Sequence, residues 1–349
     1  MMDFYLIKII FLITLSFVFT MAWTPLWANI LYKYKLGKQI RNSGATPIFS
    51  QLHAHKAGTP TMGGVLIWGT LLVFIIFFFV LGKILPLDIF KSLNFLTQKE
   101  TLLPLGALVA SALIGLFDDW LDVRGKGSLG GGGLKMRHRL LIYTAIAVIG
   151  ALWFFYKLDW SVIHVPFFGN FEIGWWYIPI FIFVIVATSF SVNETDGLDG
   201  LAGGTLLVGY VSYGIIAFSM GRYDLAAFCG VLVGAIIAFL WFNIAPARFY
   251  MGDTGSMSLG VTLGIIALLT NNIFILPFIG FIFALESVSV IIQLLSKKFR
   301  HKKVFLSAPI HHHYQALGWP ETKIVMRFWL IAGIMAAVGL MIFLLDKNI

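Results

Sequence analysis

One cysteine, Cys229, stands in a chain of 349 residues, and it lies inside an apolar run. A disulfide within the chain and a cysteine-built metal site are both excluded, and the residue reads as a small buried apolar side chain. Charge is scarce as well. Asp, Glu, Lys and Arg make up 12% of the sequence, against roughly a quarter in an ordinary soluble domain. Hydrophobic residues account for 59%, and the mean hydropathy is +0.90. The chain reads as an integral membrane protein. Acids are the rarer sign, 16 against 25 Lys and Arg, which leaves a net charge of +9. In a soluble chain that excess would point to nucleic acid. In a membrane chain it marks basic loops facing anionic headgroups, so membrane lipids and no nucleic acid are expected as partners. No repeat of fixed period and no long linker interrupt the sequence, and residues 1–349 read as a single polytopic domain.

Apolar stretches near the ~20 residues that cross a bilayer recur along the chain. Ten are readable, at about 4–31, 61–82, 101–117, 140–156, 175–191, 201–220, 224–243, 254–270, 274–295 and 325–345. The first lacks a basic leader and a small-residue cleavage site, so it reads as a retained anchor rather than a signal peptide. The expected fold class is an all-α integral membrane protein of about ten transmembrane helices. Alternate loops hold 18 of the 25 basic residues, including Lys33, Lys35, Lys38, Arg41, Lys56, Arg124, Lys126, Lys135, Arg137, Arg139, Arg248 and the run Lys297 to Lys303. By the positive-inside rule those loops are cytoplasmic and both termini lie outside. On the outer side, Ser161 to Gly174 carries β-branched and aromatic residues around Gly169-Asn170, which reads as a short periplasmic hairpin.

The polar motifs all fall on the basic side. They are HAHKAGTPTMGG before the second span, Asp118-Asp119 after the third, SVNETDGLDGLAGG after the fifth, NIAPARFYMGDTGS after the seventh and APIHHHY before the tenth. A single site at helix ends, on the cytoplasmic face, accounts for that clustering. A carboxylate near the bilayer interior costs on the order of 3 kcal/mol, so the acids need polar company.

Each motif also has a plain structural reading. Asp118 and Asp119 sit where the helix dipole disfavours carboxylates by about 0.3 to 1 kcal/mol each. They are either an interfacial acid pair or ligands of a cation that relieves dipole and repulsion. Oxygen-only ligands point to Mg²⁺. Asp253 is the N-cap of its helix or, with Gly252 and Gly255, part of a helix N-terminus that receives phosphate. His311, His312 and His313 are consecutive, unlike zinc-binding i, i+4 pairs, and read as phosphate contacts or structural hydrogen-bonding groups. Lys56 and Thr61 belong to a glycine-containing segment that is not a P-loop and that also suits an ordinary capped helix start. Glu286 and Gln293 share a helix face, with roles left open between function and helix-helix hydrogen bonding. Lys297 to Lys303 with Phe299 suits anionic headgroups.

Taken together, HKAGTPTMGG, FDD, NETDGLDGLAGG, FYMGDTGS, SVIIQ and PIHHHYQALGW followed by RFW resemble the bacterial phospho-N-acetylmuramoyl-pentapeptide transferases, in order and over nearly the whole chain. The resemblance implies a polyprenyl-phosphate sugar-phosphate transferase of the bacterial inner membrane. It would move phospho-MurNAc-pentapeptide from UDP-MurNAc-pentapeptide to undecaprenyl phosphate with Mg²⁺, giving lipid I and UMP. It also implies Asp118, Asp119, Asp253, His311 and His312 as catalytic residues, with Asp253 and the Asp118-Asp119 pair toward the metal. Lys56, Thr61, Asn193, Asp196, Asp199, Asn243, Tyr250, Gly252, Gln293 and His313 take the substrate positions. Tyr250 stands where the family usually has phenylalanine against the uracil, and Asp122 stands where many relatives are basic. Which of Arg124, Lys126 and Lys135 meets phosphate is left open, and a homodimer is allowed. The rivals are a GlcNAc-1-phosphate transferase, whose histidine loop differs, and a transporter, which would gather polar groups near the midplane. One-step attack by the lipid phosphate is preferred over a phospho-aspartate intermediate, because the acceptor is already largely ionised at neutral pH.

Overall fold

The computed structural model describes residues 2–37, 56, 58–85, 88–97, 100–125 and 133–348. Lys38, Arg41, His53, His55, Lys99 and Lys126 lie outside the described residues. The helices in chain order are α1 (Met2–Lys33), α2 (Val65–Ile84), α3 (Asp88–Leu93), α4 (Leu102–Val123), α5 (Met136–Lys157), α6 (Tyr177–Thr195), α7 (Leu201–Ser219), α8 (Tyr223–Asn243), α9 (Gly252–Leu269), α10 (Leu276–Ile279), α11 (Phe281–Arg300), α12 (Ile310–Ala316) and α13 (Glu321–Lys347). Two short strands, β1 (Val162–Val165) and β2 (Gly169–Glu172), separate α5 from α6. Among the described residues, nine helices are long and apolar enough to cross a membrane. Lipid cannot satisfy backbone polar groups, so such segments close their hydrogen bonds internally as helices.

The remaining expected span, 274–295, divides into α10 and α11 at Gly280. Its polarity is reversed relative to a soluble helix. Glu286, Ser287, Ser289, Gln293 and Ser296 are buried, while Val288, Ile291, Ile292, Leu294 and Leu295 are exposed. The apolar side faces outward and the polar side grips the protein, which lowers its hydropathy without making it a surface helix.

α9 is the most enclosed element and packs between α4 and α6, while α8 packs between α1 and α7. Small residues let these backbones meet, as membrane helices require. A side chain at Gly115 would run into the Asp253 backbone, and one at Gly64 into Gly255. Gly255 serves this helix contact. Cys229 is fully buried in the core, as expected.

The hairpin forms, with its turn earlier than expected. Val165 pairs with Gly169, so the turn is Pro166 to Phe168, and Gly169-Asn170 opens the second strand. Asp346 near the end of α13 accepts from the Phe167 N–H at 2.6 Å and lies 2.6 Å from His164 Nε2. Asn271, just after α9, accepts from the His164 N–H. These are the ends of α9 and α13 opposite Asp253 and Glu321, so hairpin and polar motifs occupy opposite faces.

Candidate active site

The end of α4, the start of α5, the end of α6 and the start of α9 bring their polar residues into one cluster. Arg139, in the first turn of α5, is its hub. Its Nη2 lies 2.9 Å from Asp118 Oδ2 and 2.6 Å from Asp253 Oδ2, and its Nη1 donates to Asn193 Oδ1 at 3.0 Å. The Asn193 amide donates in turn to Asp253 Oδ1 at 2.6 Å and to the Ser256 hydroxyl. Asp118 Oδ1 accepts from the Leu134 N–H. Asp118 is fully buried, so a charged guanidinium is the neighbour its carboxylate requires.

Asp119 faces elsewhere. Its Oδ1 accepts from the Asp253 N–H and its Oδ2 from the Thr254 N–H, both at 3.0 Å, and the Thr61 hydroxyl donates to Oδ1 at 3.3 Å. α9 is therefore capped in trans by an acid from α4, which answers both the exposed N–H groups and the positive end of the dipole. Asp253 lies within the first turn rather than at the N-cap. Gly252 must be glycine here, because its φ is +74° and a Cβ would sit 2.5 Å from Asp119 Oδ2.

Asp118 and Asp253 both address one point, the Arg139 nitrogen. Among the described residues no group of three His, Cys, Asp or Glu side chains converges to hold a metal. Two hard oxygen donors with other positions left to ligand oxygens nevertheless suit a magnesium-like ion.

A second cluster adjoins through the loop after α6. Lys56 Nζ donates to Asp199 Oδ1 at 2.7 Å and to Glu321 Oε1 at 2.6 Å. Glu321 also accepts from the Asp199 N–H, and Asp199 Oδ2 accepts from the Ala247 N–H. Lys56 Nζ is 6.0 Å from the Tyr250 ring centre, and burial raises the Tyr250 hydroxyl pKa. Asp196 is half-buried just past α6. Asn243 joins this turn to the next loop, accepting from the Gly200 N–H and donating to Phe249 O.

The histidines divide. His311 is fully buried, with Nδ1 2.9 Å from Glu286 Oε2. Its Nε2 edge faces Gly197, where a Cβ would collide with it. Burial, followed by the Lys56 charge, pulls its pKa down to about 3. His312 is buried, lowered by the same main cause, and its Nδ1 is 2.8 Å from Gln315 Oε1. His313 Nδ1 accepts from the Leu306 N–H. Gln293 uses its whole amide on Val304 and Phe305 backbone groups, so it shapes the histidine segment from below.

Arg139 and Glu321 are the residues whose place the sequence did not reveal, and Glu286, left open there, meets His311. In the sequence Arg139 is one of many loop cations, with nothing local to set it apart. Glu321 carried a faint signal, an acid at the start of a helix following Pro320.

Comparison with known proteins places part of these clusters inside recognised segments. A model described as glycosyl transferase family 4 matches residues 101–271, which hold Asp118 through Asp253. A phospho-N-acetylmuramoyl-pentapeptide-transferase signature matches residues 56–67, which hold Lys56 and Thr61. A phospho-N-acetylmuramoyl-pentapeptide-transferase of Chloroflexus aggregans is 38% identical over 93% of this chain and 86% of its own length. Proteins of the same name from a Geobacillus strain and from Bacillus pumilus are 36% and 35% identical, over 95% and 96% of this chain and 96% and 97% of their own.

Proposed function

The chain belongs to the phospho-N-acetylmuramoyl-pentapeptide-transferase family, and from that premise we propose that it transfers phospho-MurNAc-pentapeptide from UDP-MurNAc-pentapeptide to undecaprenyl phosphate, giving lipid I and UMP, at the cytoplasmic face of the bacterial inner membrane. The observation that carries the reading is the meeting of Asp118, Arg139, Asn193 and Asp253 from four separate helices, beside the Lys56–Asp199 pair.

The acceptor phosphate has a second pKa near 6 and is largely ionised at neutral pH, so it needs no base. Its oxygen attacks the phosphorus bearing the sugar, the bond from that phosphorus to the bridging oxygen breaks, and UMP departs with the electron pair. Asp118 and Asp253 are the residues that would hold Mg²⁺, which supplies positive charge to the diphosphate when bound. Arg139 already lies against both acids and offers a cation to the equatorial oxygens. Asp119 keeps the start of α9 in register. Lys56, Asp196, Asp199 and Tyr250 form the nucleoside end, where a tyrosine face retains aromatic stacking on a base. His311 and His312 are neutral rings beside the Gly197 turn, where they face the substrate.

The test is a donor comparison. Purified protein in nanodiscs with Mg²⁺ and polyprenyl phosphate is offered UDP-MurNAc-pentapeptide or UDP-GlcNAc, and UMP and lipid product are measured. Turnover of the muramyl donor is expected, and robust turnover of UDP-GlcNAc instead would sink the assignment. Asp253→Ala is expected to lose about a hundredfold or more in kcat, and full activity would contradict its metal role.

A further inference from the structure

α11 grips the histidine segment at three points. Ser296 Oγ donates to Lys302 O, Gln293 binds Val304 and Phe305, and Glu286 meets His311. The first two contacts involve backbone and explain themselves as loop anchors. The third reaches the backbone N–H of His311 as well, but it also sets an acid against the His311 ring. Glu286 and His311 are both fully buried, on a helix whose outer face is apolar, and an acid there carries a desolvation cost that a simple anchor would avoid.

The geometry shows what the acid faces. Glu286 Oε2 is 2.9 Å from His311 Nδ1 and 3.5 Å from the His311 backbone N–H. The ring contact is close but bent from the line of a hydrogen bond, and neither ring nitrogen completes one with the protein. On the far side, Nε2 lies against the Gly197 backbone, in the turn between Asp196 and Asp199. The ring therefore sits between an acid and the nucleotide-side turn. The acid is held from behind, because the Ser287 hydroxyl next to it donates to Ser191 Oγ at 2.7 Å, two residues before Asn193.

We infer that Glu286 is a positioning residue for the transfer reaction. Its carboxyl group orients His311 through the contact at Nδ1, so that Nε2 is presented at the Gly197 turn to a hydroxyl of the substrate. A group held against one edge of an imidazole fixes where the opposite nitrogen points. Burial keeps the ring neutral at physiological pH. Gly197 takes part by default, since any Cβ there would push the ring away.

This inference rests on His311 acting in the reaction, and a double-variant experiment separates the two statements. Glu286→Ala, Glu286→Gln and His311→Ala are made in the full chain, singly and with Glu286→Ala combined with His311→Ala, and assayed in nanodiscs with Mg²⁺ for kcat and for KM of the nucleotide donor. Glu286→Ala is expected to lower kcat about tenfold to a hundredfold with KM changed less than about twofold. Glu286→Gln, which keeps the side-chain length and a polar group against Nδ1, is expected to stay within about fivefold of the parent. On the His311→Ala background, Glu286→Ala should cost less than about twofold, because the ring it orients is gone. Where Glu286→Ala yields no folded protein, Glu286→Asp withdraws the carboxylate by one methylene and should show the same coupled loss. Losses that multiply in the double variant, or a Gln variant as impaired as Ala, overturn the positioning role. Full activity of His311→Ala would instead overturn the catalytic reading of His311 itself.

Discussion

Asp118 and Asp119 are neighbours in sequence with different work, and the difference lies in direction alone. Successive helix residues point about 100° apart, so Asp118 meets Arg139 while Asp119 reaches the first N–H groups of α9. A string of letters presents them as one acid pair. Histidine environment is equally hidden, yet it sets a measurable pH response. His311 is fully buried with its pKa pulled down to about 3, and His312 is shifted the same way. Unfolded histidine titrates near 6.5. Between those values the unfolded chain binds more protons than the folded one, so stability is fully present above about pH 6.5 and falls as the solution is acidified toward 3. The slope is about 1.4 kcal/mol per pH unit for each such residue. Thermal unfolding of the purified protein should therefore shift to lower temperature from pH 7.5 to pH 5. His311→Gln should flatten that dependence, and an unchanged slope would mean that the ring is solvated.

Long helices were legible because lipid imposes a length and an apolar content that composition records directly. α11 was not, since a hydropathy count cannot tell which side of a helix carries the apolar residues. Its polar face belongs to contacts with Val304, Phe305 and His311 that appear only in three dimensions. The hairpin turn moved for a related reason: Asp346, distant in sequence, accepts from the Phe167 N–H and Asn170 faces His164. Helix crossings are similarly silent until the small residues are placed. Gly115 on α4 lies against the Asp253 and Thr254 backbone, with Thr254 Cα 2.7 Å from where a Cβ would be. Gly115→Val therefore has to push α4 off the start of α9. Asp118 and Asp119 are one turn further along α4, so the displacement reaches them. Overpacking costs typically 1–3 kcal/mol, and misplacement of about 1 Å at reacting groups costs about a hundredfold in rate. The variant is expected to unfold at lower temperature and to lose about tenfold or more in kcat. Gly106→Val, on the same helix with open space around it, should leave both quantities near the parent value.

Across the molecule, two independent asymmetries coincide. Lys and Arg gather in alternate loops, and the structure brings Asp118, Asn193, Asp253, Lys56 and Asp199 together at the helix ends those loops serve. The hairpin, tied to Asn271 and Asp346, marks the opposite ends. Which residues share a face was thus readable from charge and spacing. The pairing of Arg139 with Asp253, 114 residues apart, was not, because nothing local in either segment encodes the other. If the basic face is cytoplasmic, as the positive-inside rule requires, the two ends differ in their access to reagents outside the cell. Phe168 in the hairpin turn and Phe299 at the end of α11 are 77% and 71% exposed, while the one native cysteine, Cys229, is fully buried. Cysteines introduced singly at these positions therefore report without removal of the native one. In right-side-out spheroplasts, a membrane-impermeant maleimide should label Phe168→Cys at once and Phe299→Cys only after the membrane is opened. Labelling in the reverse order would place the Lys56–Asp253 site on the outer face, away from any cytoplasmic nucleotide donor, and would remove the proposed reaction along with the orientation.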